Sequence, residues 1–310
     1  MTQNIKIAVQ FFGHLRTFEK CAPSIQQHIL SKFDCDVFMH TWSDTEHSTQ
    51  TWHNSKSKIS KVNEKILEKI TRAYNPKMCL IEKQILTEHD TLITCLHNKQ
   101  SGTISANGMM YMLKSQIKVN TLRKQYEKKN NLNYDIVLMI RPDIYLYSDL
   151  DIEKIIREYN TAIDYPARFC ASNALKKSGT CAFITDVLSD VFYLATPSSM
   201  NLIADAFKNV NFDKYKQIMW TPENLITNIL FKNGIATFTL FYYFNRDFEI
   251  LRGTYHGKEK RRRIISFKLS GNTLRLNLLS FMKKNLVSMD FYLFNLFNID
   301  FSIGKPHAKC

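Results

Sequence analysis

The chain lacks both glycine-rich nucleotide fingerprints. It contains no GxGxxG and no GxxxxGK[ST], so dinucleotide-binding and P-loop readings lose their main support. It has no CxxC pair and no Cys/His zinc spacing, and His40, His47 and His53 fit no metal motif either. The seven cysteines, Cys21, Cys35, Cys79, Cys95, Cys170, Cys181 and Cys310, are odd in number and irregularly spaced. Reduced, mostly buried thiols in the cytoplasm are the expected state. No uncharged apolar window of about 18 residues occurs, which argues against a spanning helix. No signal peptide is expected, because Met1–Lys6 leads straight into a strand-like run. No internal repeat stands out.

What is present suits a folded α/β protein. The 310 residues are 45% hydrophobic, enough for one large domain or two small ones with a sizeable core. The net charge of +14 is uneven: from Arg246 onward 13 Lys and Arg face 5 Asp and Glu. That basic excess suits an anionic partner surface, whether phospholipid, nucleic acid or acidic protein. The expected division is a domain over 1–250 and a basic amphipathic extension over 251–310.

The most informative stretch is Tyr134 to Asp143. Ile136–Ile140 is a continuous apolar run, the pattern of a central strand covered on both faces. Arg141-Pro142-Asp143 stops it, because Pro142 has no N–H for further pairing. Arg141 and Asp143 are thus expected at the carboxyl end of a strand, where open α/β sheets bind ligands. A cation and a carboxylate one residue apart suit a bare or metal-bound diphosphate. Pairing with neighbours that simply finishes the strand accounts for them as well.

A strand–helix–strand unit precedes it. Lys6–Phe12 reads as a strand, Gly13-His14-Leu15-Arg16-Thr17 as a turn, and Pro23 as the opening of a helix. Asp34–His40 reads as the next strand, so the unit has the size of a parallel crossover. Gly13 and Arg16 stand where a phosphate would meet backbone N–H groups and a guanidinium; an ordinary turn with a solvated arginine is the plain alternative. Thr41 to Lys58 reads as a polar loop over the strand end, Ser60–Tyr74 as a surface helix, and Thr103–Lys129 as a long helix whose Tyr111, Lys114 and Ser115 reach toward a cleft.

Further on, Asp149 and Asp151 fit helix caps or members of a metal site. Val191–Ala195 reads as a strand behind Asp190, which either orients an acceptor hydroxyl or ends a loop. Thr221-Pro222-Glu223 opens a helix that Gly234 ends. Glu223 serves equally as a complement to the helix dipole or as a general base. Ile235–Phe244 reads as a last strand. The tail beyond Lys258 mixes leucine and phenylalanine with Arg275, Lys283 and Lys284, which suits an element lying on an anionic membrane or a helical pair packed on the domain.

In order, Gly13-x-x-Arg16-Thr17, Asp36-Val37-Phe38-x-His40-Thr41-Trp42, Tyr134-Asp135 through Arg141-Pro142-Asp143, and Pro222-Glu223 resemble glycosyltransferases of bacterial capsule and lipopolysaccharide loci related to the WavE-type group. The resemblance implies a Rossmann-like, GT-A-type, mostly parallel sheet flanked by helices, with a basic C-terminal helical extension, acting on a nucleotide-sugar donor. It also implies a DxD motif holding Mn²⁺ or Mg²⁺; here Arg141 replaces the first carboxylate, leaving Asp143 as the metal residue or Arg141 and Arg16 as the compensating charge. Gly13, Arg16, Arg141 and Asp143 are then the donor-binding candidates, Glu223 the general base and Asp190 its reserve. A lipid-linked or oligosaccharide acceptor and a peripheral position on the cytoplasmic face of the inner membrane are the expected partners. A non-catalytic nucleotide- or glycan-binding protein is the alternative, and a nucleic-acid binder ranks last because no recognised module is present.

Overall fold

The computed structural model describes residues 5–47, 58–85, 92–97, 100–157, 181–185, 190–210, 226, 229–230, 232–240, 242–244 and 246–251. The chain divides into two compact units, Met1–Lys258 and Glu259–Cys310. All of the second unit, and with it the expected basic extension, lies outside the described residues. So do Glu223 and the expected strand at Phe169–Ala171.

The first unit is α/β. Its elements are β1 (Lys6–Phe12), α1 (Phe18–Ile25), β2 (Asp34–Trp42), α2 (Glu64–Tyr74), β3 (Met78–Glu82), β4 (Leu92–His97), β5 (Gln100–Ser105), α3 (Ala106–Asn130), β6 (Ile136–Ile140), β7 (Ile144–Leu146), β8 (Cys181–Thr185), β9 (Phe192–Ala195), α4 (Pro197–Lys208), β10 (Ala236–Leu240) and β11 (Phe248–Ile250). Seven strands form one sheet in the order β10-β8-β9-β6-β1-β2-β3. The pairs β1–β2, β1–β6, β2–β3 and β8–β10 are parallel, and β9 runs antiparallel between β6 and β8. The result is a mostly parallel, helix-flanked sheet of Rossmann-like character.

Alternation along the strands explains the layers. Ile7, Val9, Phe11, Val37, Met39, Ile136, Leu138 and Ile140 pack on one face, together with Phe18, Cys21 and Ile25 of α1 and Ile70 and Tyr74 of α2. Ala8, Phe12, Phe38, Val137 and Met139 pack on the other, with Met109, Leu113, Val119 and Leu122 of α3 and Met200, Ile203 and Phe207 of α4. All five residues of β6 are buried, as its unbroken apolar run requires of a strand with neighbours on both faces.

Capping sets several element ends. Asn63 accepts from the Ile66 N–H and Ser105 from the Gly108 N–H, opening α2 and α3. Asn75 and Asn131 close those helices in the left-handed region. Asp151 accepts from the Lys154 N–H and is a cap, whereas Asp149 pairs with His28 and Lys32.

Two expectations need correction. Pro23 does not open a helix: α1 begins at Phe18 and holds Pro23 inside it. Without an N–H, Pro23 cannot continue the hydrogen-bond ladder, and a π-helical turn follows at Gln26–Leu30. Thr41 and Trp42 belong to β2 rather than to a loop, and both are buried. In addition, the segment after the Arg-Pro-Asp corner, for which the sequence offered no reading, pairs as β7 with β11 in a separate antiparallel ribbon.

Candidate functional site

Register brings the candidate residues together. Phe12 stands opposite His40 and Phe11 opposite Ile140, so the carboxyl ends of β1, β2 and β6 form one rim. Because β9 is reversed, its start reaches the same rim: the Arg141 N–H donates to the Val191 carbonyl at 3.0 Å. Asp190, 6% exposed, therefore lies on that rim beside Arg141.

At its centre is Asp143, whose side chain is fully buried. Arg141 Nε donates to Asp143 Oδ1 at 2.9 Å, and Arg141 Nη2 donates to Oδ2. Arg16 Nη1 donates to the same Oδ2 at 3.2 Å, and Arg16 Nε donates to Glu46 Oε1 at 2.8 Å. Glu46 Oε1 also accepts from the His47 N–H at 2.9 Å. Two guanidiniums are thus held by two carboxylates. Burial alone would lower the Arg16 pKa, but Asp143 and Glu46 outweigh it and raise it. Arg16 Nη2 and Arg141 Nη1 make no hydrogen bond among the described residues. Each guanidinium is fixed at one end and offers the other.

The loop carrying Arg16 is shaped for this. Arg16 has φ +48°, a left-handed conformation that costs a non-glycine residue roughly 1 kcal/mol. Its N–H is tied to the Thr45 carbonyl at 2.9 Å, which orders the loop against the segment after β2. On the other side, Thr17 Oγ1 donates to the Leu251 carbonyl at 2.6 Å, while the Leu251 N–H donates to the Asp143 carbonyl at 2.9 Å. Leu251 so joins the β1 loop to the Arg-Pro-Asp corner.

Gly13 and Ser115 do something other than expected. The Gly13 N–H donates to Ser115 Oγ at 2.7 Å and is not available to a phosphate. Ser115 is fully buried, so it braces the loop instead of reaching a cleft. Its Oγ lies 2.7 Å from His40 Nδ1, and His40 Nε2 lies 3.1 Å from Glu82 Oε2. Burial lowers the His40 pKa despite Glu82. Tyr111 is buried edge-on against Trp42. Gly13 has φ +90°, and a Cβ there would meet nothing within 4 Å. Gly13→Ala is therefore expected to lose about 1–2 kcal/mol through backbone strain alone, readable as a lower urea midpoint without a change in slope.

The arrangement does not fit a divalent cation at Asp143. Both of its carboxylate oxygens accept from guanidiniums, and two cationic groups within hydrogen-bond reach oppose a third. Among the described residues no group of three or more His, Cys, Asp or Glu side chains could hold a metal ion. Glu46 and His14, the residues that complete the cluster, were not singled out by the sequence. The signal for Glu46 was an acid four positions beyond the end of β2, the same offset at which Arg16 follows β1.

No curated protein matches the chain. A family model described as "Domain of unknown function (DUF7796)" matches residues 2–173. That span takes in more than half of the 310 residues and includes Gly13, Arg16, Glu46, Arg141 and Asp143, while Asp190 and Glu223 fall beyond it. With its β1 loop, the end of β2 and the Arg-Pro-Asp corner all inside the match, the chain belongs to this DUF7796 family.

Proposed function

We propose that the protein is a glycosyltransferase that moves a sugar from a nucleotide-sugar donor to a growing bacterial surface polysaccharide, capsule or lipopolysaccharide. One observation carries this reading: Arg16 and Arg141 converge on Asp143 at the ligand-binding rim of the sheet, each with a guanidinium nitrogen to spare. Phosphoryl oxygens match the planar donor fork of arginine. As the acceptor hydroxyl attacks the anomeric carbon, the sugar–phosphate bond breaks and negative charge grows on the departing diphosphate. Arg16 Nη2 and Arg141 Nη1 are the groups to stabilise that charge, and Asp143 and Glu46 keep them in place. The hydroxyl proton goes to a carboxylate; Asp190 is on the same rim, and Glu223 remains the other candidate.

The strand order supports a GT-A-type sheet. β1, β2 and β3 run outward on one side, β6 follows on the other, and the reversed β9 is inserted before β8. No helix among the described residues is long and apolar enough to cross a membrane. A peripheral enzyme on the cytoplasmic face, held at the anionic inner membrane by the basic excess after Arg246, would meet lipid-linked acceptors there.

Incubation with a panel of nucleotide sugars, read by product mass, tests the proposal. Wild type is expected to transfer or hydrolyse at least one donor and to retain that activity in EDTA. Arg16→Lys and Arg141→Lys are each expected to lower kcat/KM roughly ten- to a hundred-fold, because a lysine cannot hold the carboxylate and the phosphate at once. Unchanged turnover in both variants overturns the site; binding without turnover selects the nucleotide- or glycan-binding role.

A further inference from the structure

His14 sits two residues before Arg16 in the same loop and is 5% exposed. Its Nδ1 lies 2.8 Å from the Asp44 carbonyl oxygen. A carbonyl only accepts, so Nδ1 bears the proton and the neutral ring presents a lone pair on Nε2. That nitrogen is buried and has no hydrogen-bond partner among the described residues. Buried polar atoms in native proteins are nearly always satisfied, and an orphan costs on the order of 1–3 kcal/mol.

The surroundings show where a partner would enter. The His47 ring meets His14 edge-on with centroids 5.8 Å apart. His47 Nε2 in turn lies 3.5 Å from where a Cβ on Gly108, in the first turn of α3, would stand. Next to His14, the Cβ side of Gly13 is open for at least 4 Å among the described residues, so a ligand can approach the backbone closely there. Beyond it, the Arg16 side chain is 16% exposed and presents its unengaged Nη2. One short loop thus offers a cation for an anionic group and, beside it, a neutral acceptor that needs a donor.

We infer that His14 Nε2 accepts a hydrogen bond from a hydroxyl carried next to the diphosphate, on the ribose or on the transferred sugar, making His14 a specificity-determining residue. The inference rests on the transferase reading and adds the group that the enzyme recognises. A phosphate ester of a polyol satisfies both halves of the loop; inorganic pyrophosphate satisfies only one.

Calorimetric titration of the full chain with UDP, GDP, CDP and ADP, their 2′- and 3′-deoxy forms, the matching sugar nucleotides and pyrophosphate tests this. Wild type is expected to prefer the hydroxylated partner about ten-fold, the weight of one hydrogen bond. His14→Phe should erase that ratio while leaving pyrophosphate binding within about two-fold. His14→Gln, whose amide can still donate to Asp44 and offer a carbonyl, should keep part of it. Discrimination between ribo and deoxy forms assigns the hydroxyl to the ribose. Discrimination confined to sugar nucleotide against nucleoside diphosphate assigns it to the transferred sugar. A merely structural role would weaken all ligands alike and leave the ratio unmoved. Equal binding by wild type of every ribo and deoxy pair together with no preference for any sugar nucleotide over its nucleoside diphosphate, or an unchanged ratio in His14→Phe, overturns the inference alone. Failure of wild type to bind any nucleotide or pyrophosphate overturns the transferase reading and the inference with it.

Discussion

Asp143→Ala is expected to destabilise the first unit by about 3–5 kcal/mol, the usual cost of removing one partner from a buried ion pair. The reason is the number of groups left behind. Arg141 loses both of its hydrogen bonds to the carboxylate, and Arg16 loses one of two. Both guanidiniums are largely buried, with 10% and 16% of their side-chain surface exposed, so water does not replace what is lost. At the entropy of unfolding of a domain this size, the change corresponds to a fall in Tm of roughly 10 °C. Asp143→Asn keeps one oxygen acceptor and should fall between wild type and alanine. Differential scanning calorimetry checks the ranking; an alanine variant within about 0.5 kcal/mol of wild type would mean that the carboxylate does not hold the cluster. The same variant, assayed well below its Tm, should lose donor turnover because its guanidiniums no longer have a fixed direction.

Stability should also fall steeply on the acid side, with His14 as a principal cause. Burial, and then the neighbouring Arg16 guanidinium, push its pKa down from 6.5 to about 3; Glu46 opposes this and His47 adds to it. The unfolded chain therefore binds a proton near pH 6.5 that the folded chain refuses until about pH 3. Stability contributed by the neutral ring is complete above the unfolded pKa and is lost as pH falls from 6.5 toward 3. At about 1.4 kcal/mol per pH unit, the loss is roughly 2 kcal/mol by pH 5 and 4–5 kcal/mol by pH 3. His40 is lowered in the same direction and adds to the slope. Urea unfolding of wild type and His14→Gln between pH 5 and 7, above the ordinary carboxylate range, isolates the His14 share. Parallel curves would show that the ring is not held neutral.

The sequence made the strand edges of this site readable because they depend on local chemistry. The apolar run Ile136–Ile140 and its stop at Pro142 required a central strand with Arg141 and Asp143 at its end, and the register puts them there. The crossover from β1 to β2 was legible for the same reason, and it places Arg16 within 3.2 Å of Asp143. What was not legible depends on geometry between distant segments. That Asp143 would be engaged through both oxygens, and so poorly placed for a metal, follows from the left-handed turn at Arg16 and from Leu251 bridging two loops. Neither has a sequence signature. His14 looked like one more polar residue in a turn until the Asp44 carbonyl fixed its tautomer. Ser115 sits on the sheet-facing side of α3, a position the long helix's scattered apolar residues left ambiguous.

The insertion of β9 between β6 and β8 bears on how the chain is born. Strands β2, β3 and β6 can pair as soon as they leave the ribosome, because each finds its neighbour already made. β8 is the next strand of this sheet to be made but has no edge of its own to join until β9 follows and seats beside β6. Until then β8 is an unpaired strand, the kind of exposed edge that makes a nascent chain prone to aggregate, and Asp190 joins the rim only when β9 seats beside β6.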